Sequence, residues 1–168
     1  MIDASAPSPS PAVVVPAGWP ILDAAAWVGH SCWAELRFHQ VLTDWLAIET
    51  SASLATVFWA LRAHRAELAE AWHRRLPELR EFPRPGFVKP STAGERGFAD
   101  LEALMDPAGG EARSAALTAA LLAMADHYRA HAQVALGPAD GPVADTLASA
   151  LARTELDLAR LGSVRKAD

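Results

Sequence analysis

The chain has 168 residues, of which 51% are hydrophobic and 21% are charged, and its formal net charge at pH 7 is -5. This length and composition fit one globular domain with a hydrophobic core. The negative balance argues against nucleic-acid binding, and no apolar run reaches the roughly 18 residues that a membrane span requires.

The two ends of the chain differ in character from its body. Residues 1–20 are rich in Ala, Ser and Pro and are predicted to form a disordered N-terminal arm. We predict a helical body over residues 21–163 and a C-terminal tail over residues 164–168. The single cysteine, Cys32, cannot form an internal disulfide, and no secretory signal pattern is present, so we expect a cytoplasmic protein.

The first predicted helix runs from Ala24 to about Ile48, with Asp23 as its N-cap. Its apolar stripe is interrupted by Glu35 and His39. A carboxylate within an apolar stripe loses hydration unless something compensates it, and a metal ion, a histidine or an arginine can each do so.

The second predicted helix runs from Leu54 to about Arg75 and carries Glu70 and His73 three residues apart. Side chains at this spacing project from one helix face and can bind one metal ion together. The connection to the first helix is short, which predicts that the two helices are antiparallel neighbours.

Two interpretations of the second helix are open. We favour the one in which its Ala-rich face, with Glu70 and His73, looks into the core. In the other, the core-facing polar group is His64, with Glu67 at its rim. The favoured interpretation leaves a bulky face for contact with a partner subunit, formed by Leu54, Phe58, Leu61, Leu68 and Trp72.

Prolines and glycines interrupt the chain from residue 77 to residue 110, where only Phe98 to Met105 is typical of a short helix. A link of this length is unusual between antiparallel neighbours, but a crossover along a helical bundle requires one. We therefore predict that the third helix starts at the far end of the bundle.

The last two predicted helices offer further ligands. The third, from about Glu111 to Leu136, carries His127 and His131 on its apolar face, at a spacing common among metal ligands. The fourth begins near residue 141 and carries Glu155 between leucines.

This pattern resembles the ferritin-like superfamily: four helices, a long crossover after the second, Glu35 on the first helix and Glu70-x-x-His73 on the second. The fold implied is all-α, a ferritin-like four-helix bundle of two antiparallel hairpins joined by a long crossover. The second half departs from the superfamily's pattern, because Glu155 is followed at the histidine position by Leu158.

The resemblance implies a metal-binding protein that holds non-haem iron, or manganese, and acts with dioxygen as a mono- or di-iron oxidoreductase on an unknown small molecule. The alternative is a metal-free helical module for interaction or dimerisation, and a homodimer is predicted. The metal ligands expected are Glu35, Glu70, His73, His127, His131 and Glu155.

Overall fold

The computed structural model describes residues 20–164. This part of the chain contains no β-strand and five α-helices, together with a 3-10 turn at Arg84–Phe87. The helices are α1 Ile21–Leu46, α2 Ala52–His73, α3 Thr92–Glu102, α4 Gly110–Val134 and α5 Gly141–Val164. The all-α prediction is confirmed. Apart from residues 20 and 164, the predicted arm and tail lie outside the described residues.

Serine side chains cap two of the helices at their first turn. The Ser51 side chain accepts a hydrogen bond from the Leu54 N–H at 3.3 Å and caps α2. Ser91 caps α3 in the same way through the Gly94 N–H at 3.1 Å. Among the helices described here, none is long and apolar enough to cross a membrane.

The long helices pack as two antiparallel pairs, α1 with α2 and α4 with α5. A Cβ placed on Gly110, at the start of α4, would lie 3.0 Å from Leu54 Cδ1 near the start of α2. The second pair therefore begins at the end where α2 begins, and residues 74–109 return the chain along the helices. α5 packs on α2 and runs antiparallel to it.

The bulky face of α2 lies in the core. Its members Leu54, Phe58, Leu61, Leu68 and Trp72 are all 7% exposed or less. The predicted partner contact through this face is wrong, because α1, α4 and α5 of the same chain cover it. The Ala-rich face, which we expected to look inward, instead turns Glu70 to solvent.

A buried ion pair fixes the start of α4. Arg113 donates to Glu49 Oε2 at 2.7 Å, and both side chains are at most 1% exposed. Arg113 also donates to the carbonyl oxygens of Asp106 and Pro107. Although burial raises the pKa of Glu49, hydrogen bonds from Arg113 and the backbone outweigh it and hold that pKa below its usual range.

The connection between α2 and α3 touches α1 at Gly29. A Cβ at Gly29 would lie 2.0 Å from the carbonyl oxygen of Phe87, far inside contact distance. Only glycine allows the 3-10 turn to approach α1 this closely. This approach positions one wall of the groove described below.

Candidate functional site

A guanidinium lies between two carboxylates at the centre of the helices. Arg65 Nη1 is 3.2 Å from Glu35 Oε1, and Arg65 Nη2 pairs with Asp157. All three side chains are fully buried. Because they come from α1, α2 and α5, the network ties three helices together.

The network continues through the side chains of Tyr128, Trp72 and His64. The Tyr128 hydroxyl donates to Glu35 and accepts a hydrogen bond from Trp72 Nε1 at 3.3 Å. On the other side, His64 Nδ1 lies 2.7 Å from Asp157 Oδ1. Burial raises the pKa of Glu35, and this effect outweighs the opposing influence of Arg65 and Tyr128.

Arginine, rather than a metal ion, compensates the carboxylate of Glu35. The other two predicted carboxylate ligands lie at the surface. Glu70 is 64% exposed and pairs with Arg74, whereas Glu155 is 62% exposed and lies 3.4 Å from Arg129. The side chains expected to bind a metal ion therefore do not lie together.

The rotation of α2 about its own axis explains why Glu70 lies at the surface. His64, which is 13% exposed, faces the core beside the fully buried Arg65, with Glu67 outside it at 65% exposed. Glu70 lies at the surface and His73 is half-buried, so the interpretation that placed both in the core is wrong. Within residues 20–164, no group of three or more His, Cys, Asp or Glu side chains is arranged to hold a metal ion.

The two histidines on the apolar face of α4 are packed between aromatic rings. Trp27 stacks on His127 and His131 with ring centroids 5.1 and 5.2 Å away, and Trp72 lies 5.9 Å from His131. Burial lowers the pKa of both imidazoles to about 4, helped at His127 by the neighbouring His30 and His131. They behave as neutral aromatic side chains.

Acid should therefore destabilise the fold. The pKa values of His127 and His131 are lower in the folded protein than the ordinary 6.5, so the unfolded chain binds protons more readily. The contribution of these two histidines to stability is fully present above about pH 6.5 and is lost as the pH falls towards 4. We expect about 2 kcal/mol of loss per imidazole between pH 7 and pH 5.

Urea unfolding at a series of pH values measures this loss. Replacing both histidines by glutamine should flatten the profile between pH 7 and pH 5. An equally steep profile in the double variant would assign the acid sensitivity to other groups.

Three adjoining cavities open along α1, and we call them together the α1 groove. They share His30 and Ser91 in their walls. The largest, of about 880 Å³, lies between the start of α1 and the 3-10 turn. The other two, of about 300 and 330 Å³, extend past His127 towards α3 and α4.

The walls of the α1 groove are mostly apolar, with a few polar groups. Leu22, Phe82 and Phe87 line the largest cavity, where Lys89 Nζ stands 5.5 Å from the centre of the Phe82 ring. His30 is half-buried at the point that the three cavities share. Ligand pockets commonly combine such a volume with such walls.

Sequence reasoning missed Arg65, Asp157 and His30. A signal existed for Arg65, since it follows Leu61 and precedes Leu68 at helical spacing and so shares their buried face. On the fourth helix, sequence reasoning singled out Glu155 and passed over Asp157 two positions later.

Comparison of the chain with protein-family models, curated proteins and solved structures finds no match. Its function is therefore argued from the geometry of its own residues.

Proposed function

We propose that this chain is a helical binding protein for a small, largely apolar molecule, held in the α1 groove. The meeting of three cavities at His30 carries this proposal. Their volumes lie within the range of about 300 to 1,000 Å³ that small-molecule pockets occupy, or close to it. Apolar walls supply affinity through burial, and the few polar groups supply orientation.

The central ion-pair network supports binding rather than metal chemistry. Arg65 supplies the positive charge that a metal ion would supply beside Glu35 in the expected site. A fully buried guanidinium in that position competes with a cation by charge repulsion. The network joins three helices and so serves to hold the scaffold on which the groove is built.

We also propose that the long helices have the ferritin-like arrangement. Two antiparallel pairs joined by a connection that returns along the helices support it. A crystal structure in which α4 ran antiparallel to α2 would contradict this arrangement.

Filling the α1 groove should weaken binding. We use 8-anilino-1-naphthalenesulfonate as the probe, because it becomes fluorescent in apolar sites. Ala26 is exposed and lines two of the three cavities, so Ala26→Phe should weaken probe binding roughly 10-fold or more through the lost apolar contact area. A fluorescence titration measures the change.

Ala159→Phe is the matched control, because Ala159 is exposed on α5 and outside the groove. It should bind the probe as the unaltered protein does. Equal affinity in the two variants would place the probe elsewhere and overturn the proposal.

The iron-dependent oxidoreductase expected from the resemblance stays a prediction. Elemental analysis after anaerobic loading with ferrous iron tests it directly. We expect no stoichiometric iron, because each of the three predicted carboxylate ligands is paired with an arginine, and His127 and His131 are packed against tryptophan rings. One or two irons per chain would instead favour the metal-binding function.

A further inference from the structure

The protonation of His30 follows from its hydrogen bond. Its Nδ1 lies 3.1 Å from the backbone nitrogen of Ser91, in a bond that the N–H donates. A backbone N–H can only donate, so Nδ1 is the acceptor. In the neutral ring the hydrogen is then on Nε2, which makes that atom a donor.

The opposite tautomer holds at His127. The Ser31 hydroxyl donates its single hydrogen to the carbonyl oxygen of Trp27 at 3.1 Å. Ser31 Oγ is also 3.1 Å from His127 Nε2. With its hydrogen already used, the hydroxyl can only accept from this nitrogen. The other nitrogen, Nδ1 of His127, therefore carries a lone pair.

The rings of His30 and His127 both line the two smaller cavities of the α1 groove, and their centroids lie 4.9 Å apart at 77°. Neither Nε2 of His30 nor Nδ1 of His127 is among the fully buried atoms without a partner, unlike Nδ1 of His131. The neighbouring rings in this wall thus carry one hydrogen-bond donor and one acceptor.

We infer that the α1 groove recognises a neutral carboxamide attached to a small apolar body. The amide oxygen accepts from His30 Nε2–H, and the amide N–H donates to His127 Nδ1. The apolar body lies against Phe98 and Met124 in the cavity of about 330 Å³. This inference rests on the proposed binding function and names its ligand class.

Other polar groups fit this pair less well. A ketone offers an acceptor to His30 but leaves the lone pair of His127 without a donor. A carboxylate, which has no hydrogen to give, would place two lone pairs against each other. A carboxamide satisfies both nitrogens at once.

Three probes of similar shape test the inference: benzamide, acetophenone and benzoate. Affinities come from chemical-shift titrations of the folded protein at pH 7. Benzamide should bind about 5- to 10-fold more tightly than either of the others, the usual effect of one satisfied hydrogen bond. Equal affinity for all three would overturn the inference.

His127→Phe keeps an aromatic ring against Trp27 but removes the acceptor. It should bind the three probes with equal affinity, and a retained preference for benzamide would overturn the role of His127. If the variant does not fold, the imidazole ¹⁵N shifts of the unaltered protein decide. Those of His30 Nε2 and His127 Nδ1 should move with benzamide, and unmoved shifts overturn the inference.

The outcomes separate the inference from the function on which it rests. If the three probes bind equally and Ala26→Phe weakens them all, the α1 groove is a binding site without amide selectivity. If none of the three binds while Ala26→Phe still weakens binding of 8-anilino-1-naphthalenesulfonate, the inference is wrong and the proposed function stands.

Discussion

Replacing Arg65 by methionine is expected to lower the free energy of unfolding by about 3 to 5 kcal/mol. The substitution leaves the carboxylates of Glu35 and Asp157, which are fully buried, without their positive partner. Methionine nearly preserves the side-chain length, so lost packing contributes little. Urea unfolding followed by circular dichroism measures the change.

Arg74→Met is the matched control. It removes an arginine–glutamate pair from the same helix, but Arg74 and Glu70 are 67% and 64% exposed. An exposed pair of this kind contributes less than about 1 kcal/mol. Similar losses in the two variants would show that burial of the Arg65 network is not the source of its stability.

The pH dependence separates charge from packing. Burial raises the pKa of Glu35 against the opposing influence of Arg65, so without Arg65 this carboxyl group favours folding at low pH, and that contribution is lost as the pH rises. The Arg65→Met protein should therefore be impaired more at pH 7 than at pH 4. Adding Glu35→Gln and Asp157→Asn should restore part of the loss at pH 7. A deficit independent of pH would point to packing alone.

Gly29→Ala is expected to cost about 2 to 3 kcal/mol and to disrupt the α1 groove. The new Cβ would meet the carbonyl oxygen of Phe87 at 2.0 Å, and neither backbone can yield without moving the 3-10 turn from α1. Helix propensity alone would favour alanine by about 1 kcal/mol, so a net loss reports the clash. Urea unfolding gives the stability, and binding of 8-anilino-1-naphthalenesulfonate reports the groove.

Gly162→Ala provides the comparison, because none of the described residues approaches within 4 Å of the position its Cβ would take, and because it lies on α5, outside the α1 groove. Alanine at this helical position should raise the stability slightly and leave probe binding unchanged. If Gly29→Ala behaved in the same way, the close approach of the turn would not be needed for the fold.

Periodicity and turn residues predicted the long helices and the interrupted connection, because these depend on local sequence. They did not settle the phase of α2, because both of its faces carry residues that can be buried. Leu68 and Ala69 are neighbours, and both are buried. Which face of α2 is buried depends on the residues that pack against it. The carboxylate that pairs with Arg65 belongs to Asp157, on a helix that begins 68 positions after α2 ends.

The α1 groove could not be predicted for a related reason. Prolines and glycines indicate where residues 74–109 leave helical structure, but not where this connection lies against α1. The one local signal is Gly29, an unfavourable residue inside a helix. Its meaning depends on Phe87, which approaches it from a distant part of the chain.

The buried pair of Glu49 and Arg113 has a consequence for the order of folding. Its partners are 64 positions apart in the sequence, so the pair can form only after the connection has returned along the first two helices. The local contacts of α1 with α2 form without that delay. We therefore expect loss of the pair to speed unfolding more than it slows folding. The pair slows unfolding of the finished structure and does not direct how that structure forms.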